Sequence, residues 1–263
     1  MALSLTARLR KVTRAISPVN PKFAFSKFGA VKALQYLPWQ KSGVSHAFLG
    51  QGIEDASSRV CELESSHSIC LAFGVSKLRL HRQVHGKRIV GFNQIGTKCG
   101  AFDADGWLVN LQSKHSTAYA VLTADCCPVI LRCGSHSALL HAGWRGLAGG
   151  ILENALGMIE RLVVLDEHLP RCLEVVVGPC AGPCCYEVGV DVLDQFEESG
   201  VFNSVNDRYM LNLPHTLERI IRESCSSEVL FSWCELCTIC GTGWHSYRRD
   251  REASGRNLSL LIS

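Results

Sequence analysis

The chain has 263 residues, of which 47% are hydrophobic and 19% charged, so one large domain or two small ones with a sizeable core are possible. The net charge of +3 gives no electrostatic case for nucleic-acid binding, and no apolar run approaches the roughly 18 residues that span a bilayer. We therefore expect a soluble protein that binds neither nucleic acid nor membrane.

The first part of the chain is basic, and its first acidic residue is Glu54. An acid-free start with arginine and serine is typical of an organellar transit peptide, but a solvated basic tail on a cytosolic protein has the same composition. The segment lacks the continuous apolar centre of a secretory signal. We expect residues 1–34 to form a basic, disorder-prone extension and residues 35–263 the folded domain. A cytoplasmic location is expected, with an organelle as the alternative.

Strands and helices alternate along the rest of the chain. Apolar, β-prone runs predict strands at 117–124, 128–133, 137–143, 173–180, 228–233 and 257–263. Apolar residues at three- and four-residue steps predict helices from Leu147 onward, over 186–199 and over 215–225. This alternation indicates one α/β or α+β domain.

Two strands and the turn between them bring a cysteine and a histidine together. If Gly134-Ser135 is the centre of a two-residue hairpin turn, His141 lies opposite Pro128, and Cys126 lies diagonally beyond on the same face. Diagonal neighbours are roughly 7–8 Å apart, which allows both side chains to reach one metal ion. A register slip of one residue would separate them onto opposite faces.

A catalytic metal site needs a third ligand, and His85, just before a glycine, is the best candidate. Three protein ligands and one water form the usual pattern of catalytic zinc. The alternative is that these residues are ordinary core residues, as an isolated cysteine or histidine in an apolar stretch usually is.

The chain contains fourteen cysteines, about 5% of its residues, which is below the roughly 8–10% of a disulfide scaffold. Without a secretory signal, most of them should be reduced thiols. Two groups lie close together in sequence: Cys180, Cys184, Cys185 and Cys234, Cys237, Cys240. These groups could pair as a structural zinc site, but buried thiols are the alternative.

Two arginine-containing segments are candidates for anion binding. Arg145 lies in GWRGLAGG, just before the helix predicted from Leu147, where free N–H groups and the helix dipole favour anions. Arg248 and Arg249 lie in SYRRD, for which an exposed charged turn is the alternative.

The motifs QVHG, TADCCPV, HAGWRGLAGGI, GPCAGPCCYEVGVDV and SYRRD, in this order, resemble the bacterial laccase-domain proteins. This family is also called the purine nucleoside phosphorylase or multicopper polyphenol oxidoreductase family, and it includes a peptidoglycan-editing factor. The resemblance covers roughly residues 35–263. It implies a single α/β domain with a mixed β-sheet flanked by helices, and a mononuclear metal site made by His85, Cys126 and His141.

The chain departs from the family pattern in three places. Residues 47–58 lack the family's N-terminal motifs, so substrate contacts from that region are in doubt. Trp244-His245 replaces a pair of aromatic residues, and Cys127 stands where many relatives have leucine and is interpreted as a packing residue.

The resemblance implies a zinc-dependent enzyme that phosphorolyses adenosine, inosine and methylthioadenosine and also deaminates adenosine. Zn²⁺ is the expected cofactor and Cu²⁺ the alternative. Purine nucleosides and phosphate are the expected partners of a monomer or homodimer. We assign catalytic roles to Asp125, Arg145 and Arg249, and phosphate binding to Arg145, Gly146 and Arg248.

Three other functions remain open at this point. Two histidines and a cysteine are also the ligand set of blue copper, but a multicopper oxidase needs His-x-His pairs, and none occurs among the ten histidines. Hydrolysis of a misassembled cell-wall precursor is a second alternative. A non-enzymatic metal-binding protein is the third, because the N-terminal family motifs are absent.

Overall fold

A computed structural model describes residues 19–52, 67–91, 103–113, 116–164, 172–196, 201–203 and 209–263. The strands are β1 Phe23–Phe28, β2 Val31–Tyr36, β3 His46–Leu49, β4 Lys77–Arg79, β5 Ile89–Gly91, β6 Gly106–Asn110, β7 Thr117–Thr123, β8 Cys127–Cys133, β9 His136–Ala142, β10 Cys172–Val177, β11 Glu187–Val188, β12 Val201–Asn203, β13 Tyr209–Leu211, β14 Glu228–Trp233 and β15 Asn257–Ile262. The helices are α1 Leu37–Lys41, α2 His67–Phe73, α3 Trp144–Ala148, α4 Ile151–Val164, α5 Val190–Leu193, α6 Leu213–Ser224 and α7 Tyr247–Asp250.

Two mixed sheets of six strands form the body of the molecule. The first has the order β1-β2-β3-β15-β7-β4, and only its β4–β7 pair is parallel. The second has the order β14-β10-β8-β9-β6-β5, with parallel pairs at both edges. A small sheet, β11-β13-β12, accompanies them. The predicted α/β class with mixed sheet and flanking helices is therefore confirmed.

Alternating side chains bury both faces of each large sheet. On β8, Val129 and Leu131 contribute to a core shared with α4 and α6, whereas Ile130 points to the opposite face. On β7, Tyr119 and Val121 pack in the same layer as Ile130, so the two sheets lie face to face. Full burial of each such side chain stabilises the fold by about 1.5–3 kcal/mol.

The structure differs from the sequence expectations in the stretch 186–199. Instead of one long helix it forms strand β11 and the four-residue helix α5, with Gly189 between them. The strand forms because β11 pairs with β13, and the N–H of Leu211 donates to the carbonyl of Tyr186 at 2.8 Å. The helix prediction was wrong over 186–189 for this reason, the helix that does form is limited to Val190–Leu193, and residues 197–199 lie outside the described part of the chain.

Two further boundaries in the structure differ from those predicted from the sequence. The helix predicted from Leu147 begins at Trp144 and is broken at Gly149–Gly150, where Gly150 has a φ of +88°, before α4 begins. The first strand begins at Phe23, so the fold reaches further towards the N-terminus than the predicted boundary at residue 35. Among the described residues, no helix is both long and apolar enough to cross a membrane.

Candidate metal centre

The β8–β9 hairpin has the predicted register, with Pro128 opposite His141. Cys126 lies directly before β8, and His85 lies in the loop between β4 and β5 with a φ of +58°. The ligand atoms of His85, Cys126 and His141 all lie within 4.8 Å of one another. The structure thus brings together the three residues, called the metal triad below, that the sequence placed in one site.

A buried carboxylate, Asp105, organises the triad. Its Oδ1 accepts from Nδ1 of His141 at 2.8 Å and from the N–H of His85 at 2.9 Å. Its Oδ2 accepts from the N–H groups of Gly86 at 2.7 Å and Val84 at 3.2 Å. Because Nδ1 of His141 is used in this way, Nε2 is the nitrogen left for a metal.

Asp105 was missed in the sequence, where an acidic residue directly before the apolar strand β6 was the one available signal. Its side chain has no exposed surface. Burial raises the pKa of Asp105, but the hydrogen bond from His141 and those from the loop N–H groups outweigh burial and hold it below the ordinary value. The carboxylate therefore stays ionised.

The triad pairs a thiolate, which is the metal-binding form of cysteine, with a histidine that must lose a proton before it binds a metal. Burial alone would raise the pKa of the Cys126 thiol, but His141 and then His85 outweigh it and lower the pKa to about 6. Burial would lower the pKa of His141, but the Cys126 thiolate and Asp105 raise it to about 9. At neutral pH the pair is a thiolate beside an imidazolium, and a bound cation takes the place of the imidazolium proton.

Gly143 leaves room for the triad. A Cβ atom added at this position would lie 2.7 Å from Sγ of Cys126 and 3.5 Å from Cδ2 of His85. Its φ of −82° suits any residue, so space and not conformation requires glycine here. Two imidazoles and one thiolate around this space are a donor set that fits Zn²⁺ with one open position, and also suits copper.

Asp125, next to the ligand Cys126, is held by its surroundings. Its Oδ1 accepts from the hydroxyl of Thr238 at 2.7 Å, and its Oδ2 accepts from the N–H of Arg248 at 2.6 Å. Its φ of +94° is unusual for a non-glycine residue and typically costs about 1–3 kcal/mol. The two carboxylate oxygens thus tie the segment before Cys126 to the loop that carries Thr238 and to helix α7.

A cavity of about 870 Å³ opens beside the metal triad. Its wall contains five arginines: Arg82, Arg145, Arg248, Arg251 and Arg256. Among the described residues, Asp125 is the one carboxylate that lines it, and Trp144, Tyr186 and Tyr247 supply aromatic surface. A wall with this charge attracts anions.

The arginines differ in how far they are already engaged. Within the described chain, the guanidinium groups of Arg145 and Arg251 form no hydrogen bond or ion pair, and Arg145 lies over the ring of Trp144 at 4.4 Å. Arg82 is paired with Asp103. Arg145 and Arg251 are therefore available for a ligand. Of these two arginines, the sequence had indicated only Arg145.

Of three other residues predicted for the site, one lines the cavity and two lie outside its wall. Arg248 lines the cavity and lies 4.9 Å from the ring of Tyr186. The cavity wall described here does not include Arg249, whose guanidinium donates to the carbonyls of Thr238 and Trp244, each at 2.8 Å. Gly146 is buried behind the wall, where an added Cβ would meet the carbonyl of Gly86 at 3.1 Å.

Comparison with known proteins finds relatives of similar sequence and similar fold. The chain is 30% identical over 260 residues to the purine nucleoside phosphorylase YlmD of Geobacillus stearothermophilus, covering 92% of this chain and 91% of that one. It is 34% identical over 193 residues to a purine nucleoside phosphorylase of Xylella fastidiosa, covering 68% and 69%. The crystal structure of Bacillus licheniformis YfiH has the same fold, with a TM-score of 0.70 at 20% identity over 92% of this chain and 99% of that one.

A family match covers most of the domain. Residues 38–263 match the family described as multi-copper polyphenol oxidoreductase laccase, and this range includes the metal triad, the arginine-lined cavity and Asp105. The chain therefore belongs to this laccase family.

Proposed function

We propose that this protein is a zinc-dependent purine nucleoside phosphorylase that also deaminates adenosine. The observation that carries the proposal is a Cys-His-His triad opening on a cavity lined by five arginines. The names of the relatives, purine nucleoside phosphorylase, support the same chemistry. Adenosine, inosine and methylthioadenosine are the proposed substrates.

Phosphate binding is assigned to the two cavity arginines whose guanidinium groups form no hydrogen bond or ion pair within the described chain. Arg145 and Arg251 supply two unengaged guanidinium groups to the lining of the cavity, and guanidinium recognises phosphate through paired N–H donors. Helix α3 has only five residues, so its dipole contributes little and the side chains carry the binding. We assign to them the phosphate that displaces the purine at C1′ of the ribose.

The nucleoside needs a surface for its base, and Trp144, Tyr186 and Tyr247 supply one. Burial raises the pKa of Tyr186 well above its ordinary value, so this phenol remains neutral and can donate a hydrogen bond. The volume of about 870 Å³ is in the range of cavities that enclose small ligands.

Zn²⁺, when held by the triad, supplies Lewis-acid polarisation and water activation, which deamination at purine C6 requires. Asp105 engages Nδ1 of His141, so Nε2 is the nitrogen that would hold the ion. Asp125 acts as a positioning residue, because both of its carboxylate oxygens already accept hydrogen bonds. Arg249 has a similar role in holding the loop that carries Thr238.

The test is to incubate zinc-loaded protein with each nucleoside, with and without phosphate, and to identify the products. Adenine from adenosine should require phosphate, whereas inosine should form without it. Absence of both products with protein of verified zinc content would refute the proposal. Cys126→Ala should lose the zinc of the triad together with both activities.

Arg145→Ala separates the two reactions. Loss of a charge-assisted hydrogen bond costs about 1.5–3 kcal/mol, so the KM for phosphate should rise about 10- to 160-fold. Deamination, which uses no phosphate, should change much less. The control is Arg161→Ala, which removes an exposed arginine from α4 whose Nε donates to Gly157 of the same helix. Equal losses in both reactions of Arg145→Ala would contradict its role.

A further inference from the structure

A second group of cysteines converges outside the metal triad. Cys184 and Cys185 lie between β10 and β11, and Cys237 and Cys240 lie between β14 and α7. Their four sulfur atoms all lie within 4.8 Å of one another, and the sulfurs of Cys184 and Cys240 are 3.6 Å apart. These residues, called the cysteine cluster below, come from the two sequence groups whose pairing the sequence left open.

The spacing within the cysteine cluster fits one tetrahedral ion. Zinc–sulfur bonds of about 2.3 Å in tetrahedral geometry place the sulfur atoms about 3.8 Å apart. The distance of 3.6 Å between Cys184 and Cys240 is close to this value and far above the roughly 2.05 Å of a disulfide. All four thiols are free.

Backbone contacts fix the two cysteine loops against each other. Cys180 and Cys237 form a parallel bridge, in which the N–H of Thr238 donates to the carbonyl of Cys180 at 2.9 Å. Gly182 allows the two loops to approach, since a Cβ at this position would lie 3.1 Å from Cβ of Cys237. Gly241 allows the tight turn after Cys237, since a Cβ there would lie 2.4 Å from the carbonyl oxygen of Cys237. The positions of the sulfur atoms are thus set by the fold.

The surroundings of Cys237 favour a thiolate. The N–H of Gly182 donates to Sγ of Cys237 at 3.3 Å. Burial raises the pKa of Cys237, but the N–H groups of Cys240, Gly182 and Ile239 outweigh it and bring the pKa below its ordinary value.

We propose that the cysteine cluster binds a structural Zn²⁺ through four thiolates. Four sulfur ligands leave no open position, which is the pattern of structural and not catalytic zinc. Thiolate donors select zinc over the hard cations Mg²⁺ and Ca²⁺. This site shares no residue with the metal triad.

The proposed ion stabilises one wall of the cavity. Cys185 precedes Tyr186 of the wall, and Cys237 precedes Thr238, whose hydroxyl donates to Asp125 at 2.7 Å. Crosslinking the two loops through a metal holds both contacts in place. Removal of this ion should therefore loosen the cavity while leaving the ligands of the triad intact.

The first test counts zinc by mass spectrometry in full-length protein purified under a reducing agent. Wild type should hold two ions per chain, and Cys184→Ser/Cys240→Ser should hold one. Both of these cysteines are exposed, so the double variant should fold. Cys126→Ala should also hold one ion, and Cys70→Ser, which removes a cysteine outside both sites, should hold two.

The second test loads Cys126→Ala with Co²⁺. Intense visible absorption of tetrahedral thiolate cobalt is expected, and it should disappear when Cys184 and Cys240 are also replaced by serine. A double variant with as much zinc as wild type would overturn the proposal, as would iron or a disulfide at the cluster. Since the readout is metal content, this outcome is independent of nucleoside turnover.

Discussion

Replacing Asp105 with asparagine tests how the metal triad is held. The two side chains have nearly the same shape, but one acceptor oxygen becomes an N–H₂ donor. If the amide nitrogen takes the place of Oδ2, it faces the N–H groups of Val84 and Gly86. If it takes the place of Oδ1, it faces the N–H of His85 and Nδ1 of His141. In either orientation the new amide N–H₂ group, itself a donor, faces two groups that donated to Asp105.

The structure sets the size of the effect. Each buried donor without an acceptor costs about 1–3 kcal/mol, so Asp105→Asn should lower the free energy of unfolding by about 2–6 kcal/mol. His141 could accept from the amide through Nδ1, but its proton would then occupy Nε2, the nitrogen needed for the metal. Loss of such a supporting partner typically weakens metal binding 10- to 100-fold.

The assays are urea unfolding of metal-free protein and zinc titration against a competing chelator. Asp103→Asn is the matched control, because Asp103 lies two positions away, is exposed and pairs with Arg82 at the surface. It should leave zinc affinity unchanged. The reasoning would be refuted if Asp105→Asn bound zinc as tightly as wild type, or if Asp103→Asn weakened binding equally.

Two further predictions concern the space and the charge around Cys126. Gly143→Ala should abolish tight zinc binding, because its Cβ would lie 2.7 Å from Sγ of Cys126. The control is Gly157→Ala in α4, whose Cβ meets nothing closer than 3.9 Å. This control should bind zinc normally and gain about 0.5–1 kcal/mol in stability. In metal-free protein, alkylation of Cys126 followed by peptide mass spectrometry should rise with pH through a midpoint of about 6, since the thiolate forms above its lowered pKa. His141→Gln should move that midpoint up towards the ordinary value of 9.0, because His85 alone then opposes burial, and a wild-type midpoint near 9 would contradict the thiolate–imidazolium pair.

The sequence could predict those parts of the site that depend on local periodicity. The two-residue turn and the alternation of β8 and β9 determine which residues face Cys126, and the hairpin has that register. His85 lies in a loop some forty positions away, so no periodicity connects it to Cys126; its place before a glycine suggested it, and the family resemblance implied the same residue. Asp105 and Arg251 could not be found in this way, because their roles arise from tertiary contacts between segments without a shared pattern.

The helix predicted over 186–199 shows a different limit. Val188, Val192 and Phe196 recur at four-residue steps, and all three are buried. Val188, however, is buried as part of strand β11, where Tyr209 is its partner on β13. A short apolar pattern is compatible with both structures, and pairing with a distant strand decides between them.

The position of β15 between β3 and β7 has a consequence for how the protein folds. Leu258 of β15 pairs with Leu49 of β3, which lies roughly 200 positions earlier, and such long-range pairings slow folding. On its other side Asn257 pairs with Thr123, close to Cys126, and Asn257 directly follows Arg256 of the cavity wall. The place of Arg256 in the cavity wall therefore depends on a strand whose partners are distant in the sequence.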